Sequence, residues 1–236
     1  MKQVARDFSD IYLGLDTKFG RTFIDLFRRP EAVINGYIYG RRVNYMDAIR
    51  YLLLAVFMTG IYSYFLKSAH IYEDMMAQQQ ALYEDLNYSQ EQIRFTQEFN
   101  DRYVKFLYDF QGFFLMLTIP VLALVARFSF WGKRYYNFTE QLVFFMYTYS
   151  HAVLTTTPFS LLLLLIYPEY TIYVGTITLP LMYLYNAYCY KQCFRLSNTE
   201  LLNKTLLSLV IGFAVIIALT VIGMLTGVLL ALLFKT

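Results

Sequence analysis

Five long apolar runs, separated by segments that hold nearly all the charge, set the first expectation for this chain. A helix crossing the ~30 Å hydrocarbon core of a bilayer needs about 20 mainly apolar residues. Residues 48–66 form such a run, interrupted only by Arg50, whose long stem can carry its charge to the interface. Residues 110–128 form a second, closing on Arg127, and residues 141–167, 170–190 and 205–234 contain no Asp, Glu, Lys or Arg at all. The pattern predicts an all-α fold: a polytopic membrane helix bundle of about five transmembrane helices.

The connecting segments carry their own periodicity. Between 67 and 109, apolar residues recur at Ile71, Met75, Leu82 and Leu86, then at Phe95, Phe99, Tyr103, Phe106 and Phe110. Both series have helical spacing. Asn87-Tyr88-Ser89, with Gln92 three residues past Ser89, marks a break and a capping box. An amphipathic helical hairpin is expected at 67–109, its second helix running into the second span. Capping its own bundle is the default, with the membrane surface or a protein partner as the other destinations. Near the N-terminus, residues 22–29 mix apolar and basic side chains and stop at Pro30. Two readings stand for that stretch: an interfacial helix on anionic headgroups, or a helix packed on the inner loops. The domain division is then 1–47, a basic segment with this helix, and 48–236, the membrane domain.

Charge placement orients the bundle. Most of the 20 Lys and Arg residues precede the first span or fall in the connections after the second and fourth spans, while Glu73, Asp74, Glu84, Asp85, Glu91, Glu98 and Asp101 gather between the first two. The positive-inside rule then puts the N-terminus in the cytoplasm and the C-terminus outside. Residues 1–19 lack the apolar core of a secretory signal, so no cleavage is expected.

Composition agrees with a bilayer as solvent: 58% hydrophobic and 16% charged is outside the usual globular range. With 23 Tyr and 21 Phe against one Trp, a tyrosine girdle at the membrane boundary is expected. A net charge of +3 without a basic–aromatic block argues against nucleic acid as partner. The two cysteines, Cys189 and Cys193, lie four apart in an apolar helix and read as small core residues, with a metal or redox pair as the rival. No metal site and no cofactor are expected.

Candidate chemistry is sparse. The phosphate-binding, dinucleotide, zinc-protease and serine-hydrolase motifs are missing, so no catalytic residues are assigned and a non-enzymatic protein is expected. His151 is the one ionisable side chain inside an otherwise uncharged span, and such groups face the bundle interior or a wet path more often than lipid. Glu140, Phe144, Tyr147 and His151 fall on one helical face, and Asn186 in the fourth span is placed to hydrogen-bond across to it. Two readings stand: a buried histidine fixing helix packing, or a proton relay or ligand contact. Pro120, Pro158 and Pro180 lie within spans, either as hinges around a cavity or as ordinary membrane-helix prolines. Thr155, Thr156 and Thr157 can satisfy carbonyls freed by the Pro158 kink. In the last span Ser208, Gly212, Ile216, Thr220, Gly223, Gly227 and Ala231 form a narrow small-residue face, suited to packing within the chain or to a homodimer seam.

The string Thr22 to Pro30, containing Arg28-Arg29-Pro30, with Val33-Ile34-Asn35-Gly36-Tyr37-Ile38 and Gly40-Arg41-Arg42 after it, resembles the opening of a family of uncharacterised bacterial inner-membrane proteins. Lys133 to Phe138, Glu140 to Phe144 and the helix through His151 are similar to that family's second block, so the resemblance runs over about residues 18–235. It implies a multi-pass inner-membrane location and a helical fold, and no activity. Members often start with a four-cysteine zinc-ribbon head, and this chain departs from them in having no cysteine before Cys189. Three function classes follow: a scaffold or accessory protein whose partners are the lipid bilayer and a protein partner or homo-oligomer; a transporter of a small molecule, ion or lipid; and, behind both, an intramembrane enzyme.

Overall fold

Arg29 and Pro30 divide the first stretch of the fold into two short helices, α1 (Gly20–Arg28) and α2 (Pro30–Ile38). Proline suits the first position of a helix, where an N–H would be unpaired anyway, and it drives the preceding residue out of helical conformation. Arg29 accordingly has φ −151° and ψ 65°. Past α2 the chain turns at Gly40, whose φ of 88° is open to glycine and strained for other residues. The protein is described by a computed structural model covering residues 18–40, 44–68, 89, 91–94, 106, 109–132, 134–167 and 170–233, with side chains at all of these but 67, 68, 171–173, 175 and 222–233.

Among the described residues five long helices follow: α3 (Ala48–Ser68), α4 (Gln111–Ser129), α5 (Phe138–Ile166), α6 (Thr171–Phe194) and α7 (Asn198–Leu233). No strand occurs among the described residues. By length and composition α3, α4, α5 and α7 are able to cross a membrane. The chain is a multi-pass membrane protein built as an all-α bundle. The fifth expected span, α6, has 24 residues but is less apolar, because four tyrosines between 183 and 190, Asn186, Lys191 and Gln192 interrupt it. Its place in the bundle follows from geometry. Helix α5 ends at Ile166 and α7 begins at Asn198, so α6, about 36 Å long at 1.5 Å per residue, carries the chain back between them.

Contacts confirm an alternating path. Tyr147 meets Met46 and His151 meets Tyr51, so α3 and α5 run the same way. In α4 the order reverses: Ser63 at the far end of α3 bonds Gln111 at its start, and Phe130 just past its end stacks on Tyr190. Helix α7 pairs Lys204 with Ser129 and Tyr183 with Ser208, antiparallel to both α4 and α6.

Side-chain caps lengthen two helices beyond their apolar runs. Asn137 accepts from the Glu140 amide at 2.9 Å while Glu140 accepts from the Asn137 amide at 2.7 Å, a reciprocal capping box opening α5. Ser197 and Glu200 do the same for α7. Helix α6 ends at Phe194, and its C-cap, Arg195, adopts the left-handed conformation with φ 52°. Pro120, Pro158 and Pro180 all lie inside helices. Thr155 and Thr156 back-bond to the carbonyls of His151 and Ala152 at 2.7 and 2.8 Å. Those carbonyls lie three and two residues before the Leu154 carbonyl that Pro158 leaves without its helical donor, so these two threonines do not bond it.

The small-residue face of α7 is used only in part. Ser208 meets Tyr183, and a Cβ at Gly212 would stand 3.9 Å from Val125 of α4, while Ile216 is 62% exposed. Gly223 and Gly227 lie beyond the residues whose surroundings are described. In the 67–109 segment, Ser89 and Gln92 form the expected reciprocal cap, with bonds of 3.0 and 3.3 Å. Nearly all of the remaining hairpin lies outside the described residues.

Candidate functional site

Helix α1 places Thr22, Asp25 and Leu26 on one buried face and leaves Ile24 and Phe27 half exposed. Thr22 and Asp25 on that face bond Met46 and Tyr45 of the connection between α2 and α3, and the rest of α1 meets α5 and α6, so α1 is held by helices and by that connection and not by headgroups alone. The second helix, α2, which the basic–apolar pattern did not suggest, buries Pro30, Val33 and Ile34.

Polar contacts fasten this pair to the bundle, and most end on backbone carbonyls. Tyr185 donates to the Leu26 carbonyl at 3.1 Å and Tyr188 to the Phe27 carbonyl at 3.0 Å. These carbonyls belong to the last turn of α1, which has no helical donors for them. Asn35 of α2 donates to the Cys193 carbonyl at 3.4 Å and accepts from Tyr136. Thr22 accepts from the Met46 amide at 2.9 Å while Tyr147 donates to the Met46 carbonyl at 2.6 Å, so one residue ties α1, the entrance of α3 and α5.

Beside these anchors sits His151, 1% exposed. Its Nδ1 lies 2.8 Å from the Tyr51 hydroxyl. With the phenol donating, the imidazole proton is on Nε2, and Nε2 is buried with no hydrogen-bond partner. Aromatic rings enclose it: Phe27 edge-on at 4.3 Å, Phe23 at 4.8 Å and Tyr185 at 5.3 Å between ring centres. The socket thus draws on α1, α3, α5 and α6.

Of the residues expected to share a polar face, Tyr147 and His151 do lie together. Glu140 does not join them; it is spent on the α5 cap and is exposed to solvent on one side of it. Asn186 does not reach His151 either. It lines a separate groove between α4, α5, α6 and α7, with its Oδ1 unpartnered. The partner that His151 has, Tyr51, was hidden in the sequence because helical periodicity relates residues within one helix and not between two. Cys189 and Cys193 are free thiols, and no group of three metal-ligating side chains occurs among the described residues.

The basic motif has a structural core. Arg29 grips Asp25 with two bonds of 3.0 Å, and Tyr45 donates to the same carboxylate at 2.9 Å. The Arg29 hydrogen bonds hold the Asp25 carboxyl below its ordinary value of 3.8 against the opposing effect of burial, while burial and the Asp25 bond push the Tyr45 phenol up. A carboxyl whose value falls on folding stabilises the fold above its unfolded value and loses that contribution as pH drops through the folded one. Stability from this group is therefore expected to be level above about pH 5 and to fall as pH drops through the unfolded value of 3.8 toward the lower folded one. Detergent-solubilised protein melted across pH 3 to 7 should show this acid-side loss diminished in Asp25→Asn; identical acid limbs would contradict it. Arg28 is exposed, Gly40 forms the turn, and Arg41 and Arg42 lie outside the described residues.

Residues 16–60 match a family described as "Protein of unknown function (DUF3667)". The DUF3667 match covers α1, α2, Tyr45, Met46 and the part of α3 that carries Tyr51, which is the whole docked element and half of the His151 contact. It is shorter than the stretch of about 18–235 over which the resemblance ran, and it leaves out the block around Lys133 and His151. No curated protein and no solved structure matches the chain.

Proposed function

We propose that this chain is a non-enzymatic scaffold or accessory protein of a bacterial cytoplasmic membrane, with α1 and α2 on the cytoplasmic side and the end of α7 outside. The observation that carries the reading is the anchoring of α1–α2. Two hydroxyls of α6, from Tyr185 and Tyr188, end on backbone carbonyls of α1, while Asn35 of α2 donates to the Cys193 carbonyl of α6 and accepts from Tyr136 in the loop before α5; Tyr147 of α5 holds the Met46 carbonyl in the segment that follows the pair. Fixed in this way, the element presents Arg28 and a cleft of about 260 Å³ that mixes polar and apolar lining, with Glu31, Asn35 and Asn44 beside Ala32, Tyr39 and Tyr45. A rigid surface of mixed polarity at the membrane edge suits a protein partner better than a solute path, since its geometry is fixed before contact. The charge asymmetry of the loops supports the orientation.

Native mass spectrometry of the gently solubilised full chain tests this. A stoichiometric partner or a defined oligomer is expected, and Arg28→Glu with Tyr39→Ala should dissolve it without lowering the melting temperature. A monomer that carries no partner under the mildest conditions would overturn the reading.

Transport is the second reading, and the unpartnered Nε2 of His151 is what favours it. A His151→Ala protein that keeps its fold and its partner yet loses a transport or growth phenotype would move the assignment there.

A further inference from the structure

The groove that Asn186 lines is separate from the His151 socket and has its own chemistry. It holds about 340 Å³ between α4, α5, α6 and α7, walled by Val121, Val125, Phe145, Met182, Gly212 and Phe213, a volume at the lower end of the roughly 300–1,000 Å³ found for ligand sites. Its hydroxyl groups are already engaged. Tyr183 bonds the Thr205 carbonyl and Ser208, Thr205 bonds the Leu201 carbonyl, and Tyr190 bonds Gln141. The Asn186 amide is different: 8% exposed, with an oxygen that meets no partner.

Two cations flank one end of the groove. Phe130 closes that end, and two basic residues touch it: Arg127 bonds its carbonyl at 3.4 Å, and the Lys204 ammonium lies 5.9 Å from its ring centre while bonding the Ser129 carbonyl at 3.0 Å. Neither meets a carboxylate among the described residues, whereas Arg134 nearby is paired with Glu200 at 3.4 Å. Arg127 also stacks at 4.8 Å on Trp131, an exposed indole of the kind that marks the headgroup level. Each cation keeps donors to spare, since an ammonium has three and a guanidinium five.

We infer that this groove is a binding site for one anionic glycerophospholipid. An acyl chain fills the apolar cleft between the four helices, where an empty void would forfeit dispersion contacts. The phosphate rests on Lys204 and Arg127, and the Asn186 amide, turned so that its NH₂ faces the cleft, donates to an ester carbonyl. The inference is independent of the scaffold reading.

The test uses the full chain, delipidated in detergent and titrated with phosphatidylglycerol or phosphatidylcholine of equal chain length, with bound lipid counted by native mass spectrometry. One phosphatidylglycerol per chain is expected, preferred over phosphatidylcholine by roughly thirtyfold, about fivefold for each cation. Lys204→Gln with Arg127→Gln should remove the preference. Gly212→Leu should lower retention of both lipids, because its first side-chain carbon fits at ordinary contact with Val125 and the rest extends into the cleft. Melting temperatures identify any variant that fails to fold, and if the double variant does, Gly212→Leu decides alone. Equal retention of the two lipids by the natural sequence, an undiminished preference in the folded double variant, or a dimer whose partner copy excludes lipid would each overturn the inference.

Discussion

Phe144→Ala is expected to destabilise the bundle by about 3 kcal/mol, measured as a shift in unfolding by sodium dodecyl sulfate in mixed micelles. Phe144 is fully buried, and its ring stacks on Tyr190 at 4.0 Å between centres; Tyr190 in turn stacks on Phe130 at 4.3 Å. The three rings join α5 to α6 and to the end of α4. Removing the Phe144 ring leaves a cavity that Tyr190 cannot close, because its hydroxyl is held by Gln141 at 2.6 Å. The lower end of the range for a buried phenylalanine applies because a bilayer supplies little hydrophobic driving force between helices, so the loss is mostly packing. An unchanged unfolding midpoint would mean that the stack does not join these helices.

Leu26→Ala is expected to loosen α1–α2 without unfolding the membrane helices. Leu26 is fully buried, and its own carbonyl accepts from Tyr185. Truncating it costs about 2 to 3 kcal/mol, nearly all of it local, since α3 to α7 have their own contacts. At tenfold for each 1.4 kcal/mol, amide exchange across residues 20–38 should accelerate by roughly 30- to 140-fold. Exchange in α5 should stay as it was. Equal acceleration in both regions would mean that the element is not a separable unit.

How far the sequence foretold this arrangement depends on the kind of signal each residue carried. Long uncharged runs are decided locally by length and hydropathy, and α3, α4, α5 and α7 lie where those runs predicted. Helix ends were less legible: α5 and α7 start earlier than their apolar runs, because Asn137 with Glu140 and Ser197 with Glu200 cap them. The Asn-x-x-Glu and Ser-x-x-Glu spacings were present in the sequence as a usable signal. Helix α2 could have been read from Arg29-Pro30, since proline opens a helix as readily as it stops one. The His151 socket was half legible. An ionisable residue in an uncharged span pointed to the bundle interior, yet its partner Tyr51 stands on a helix 100 positions away, a pairing that only the packing of α3 on α5 creates. Asn186 appeared from spacing to face His151, but it turns toward the α4–α7 side of α6 and meets the groove instead.

Hydrogen exchange of the full chain in lipid nanodiscs tests most directly the central claim that residues 20–38 are docked into the bundle. Two nine-residue helices have no stability of their own in water, so slow exchange there requires the docking contacts. The account predicts protection across 22–26 and 33–38 comparable with that of residues 141–151 in α5. Exchange at unprotected rates through 20–38, with α5 still protected, would contradict it and return α1 and α2 to the membrane surface.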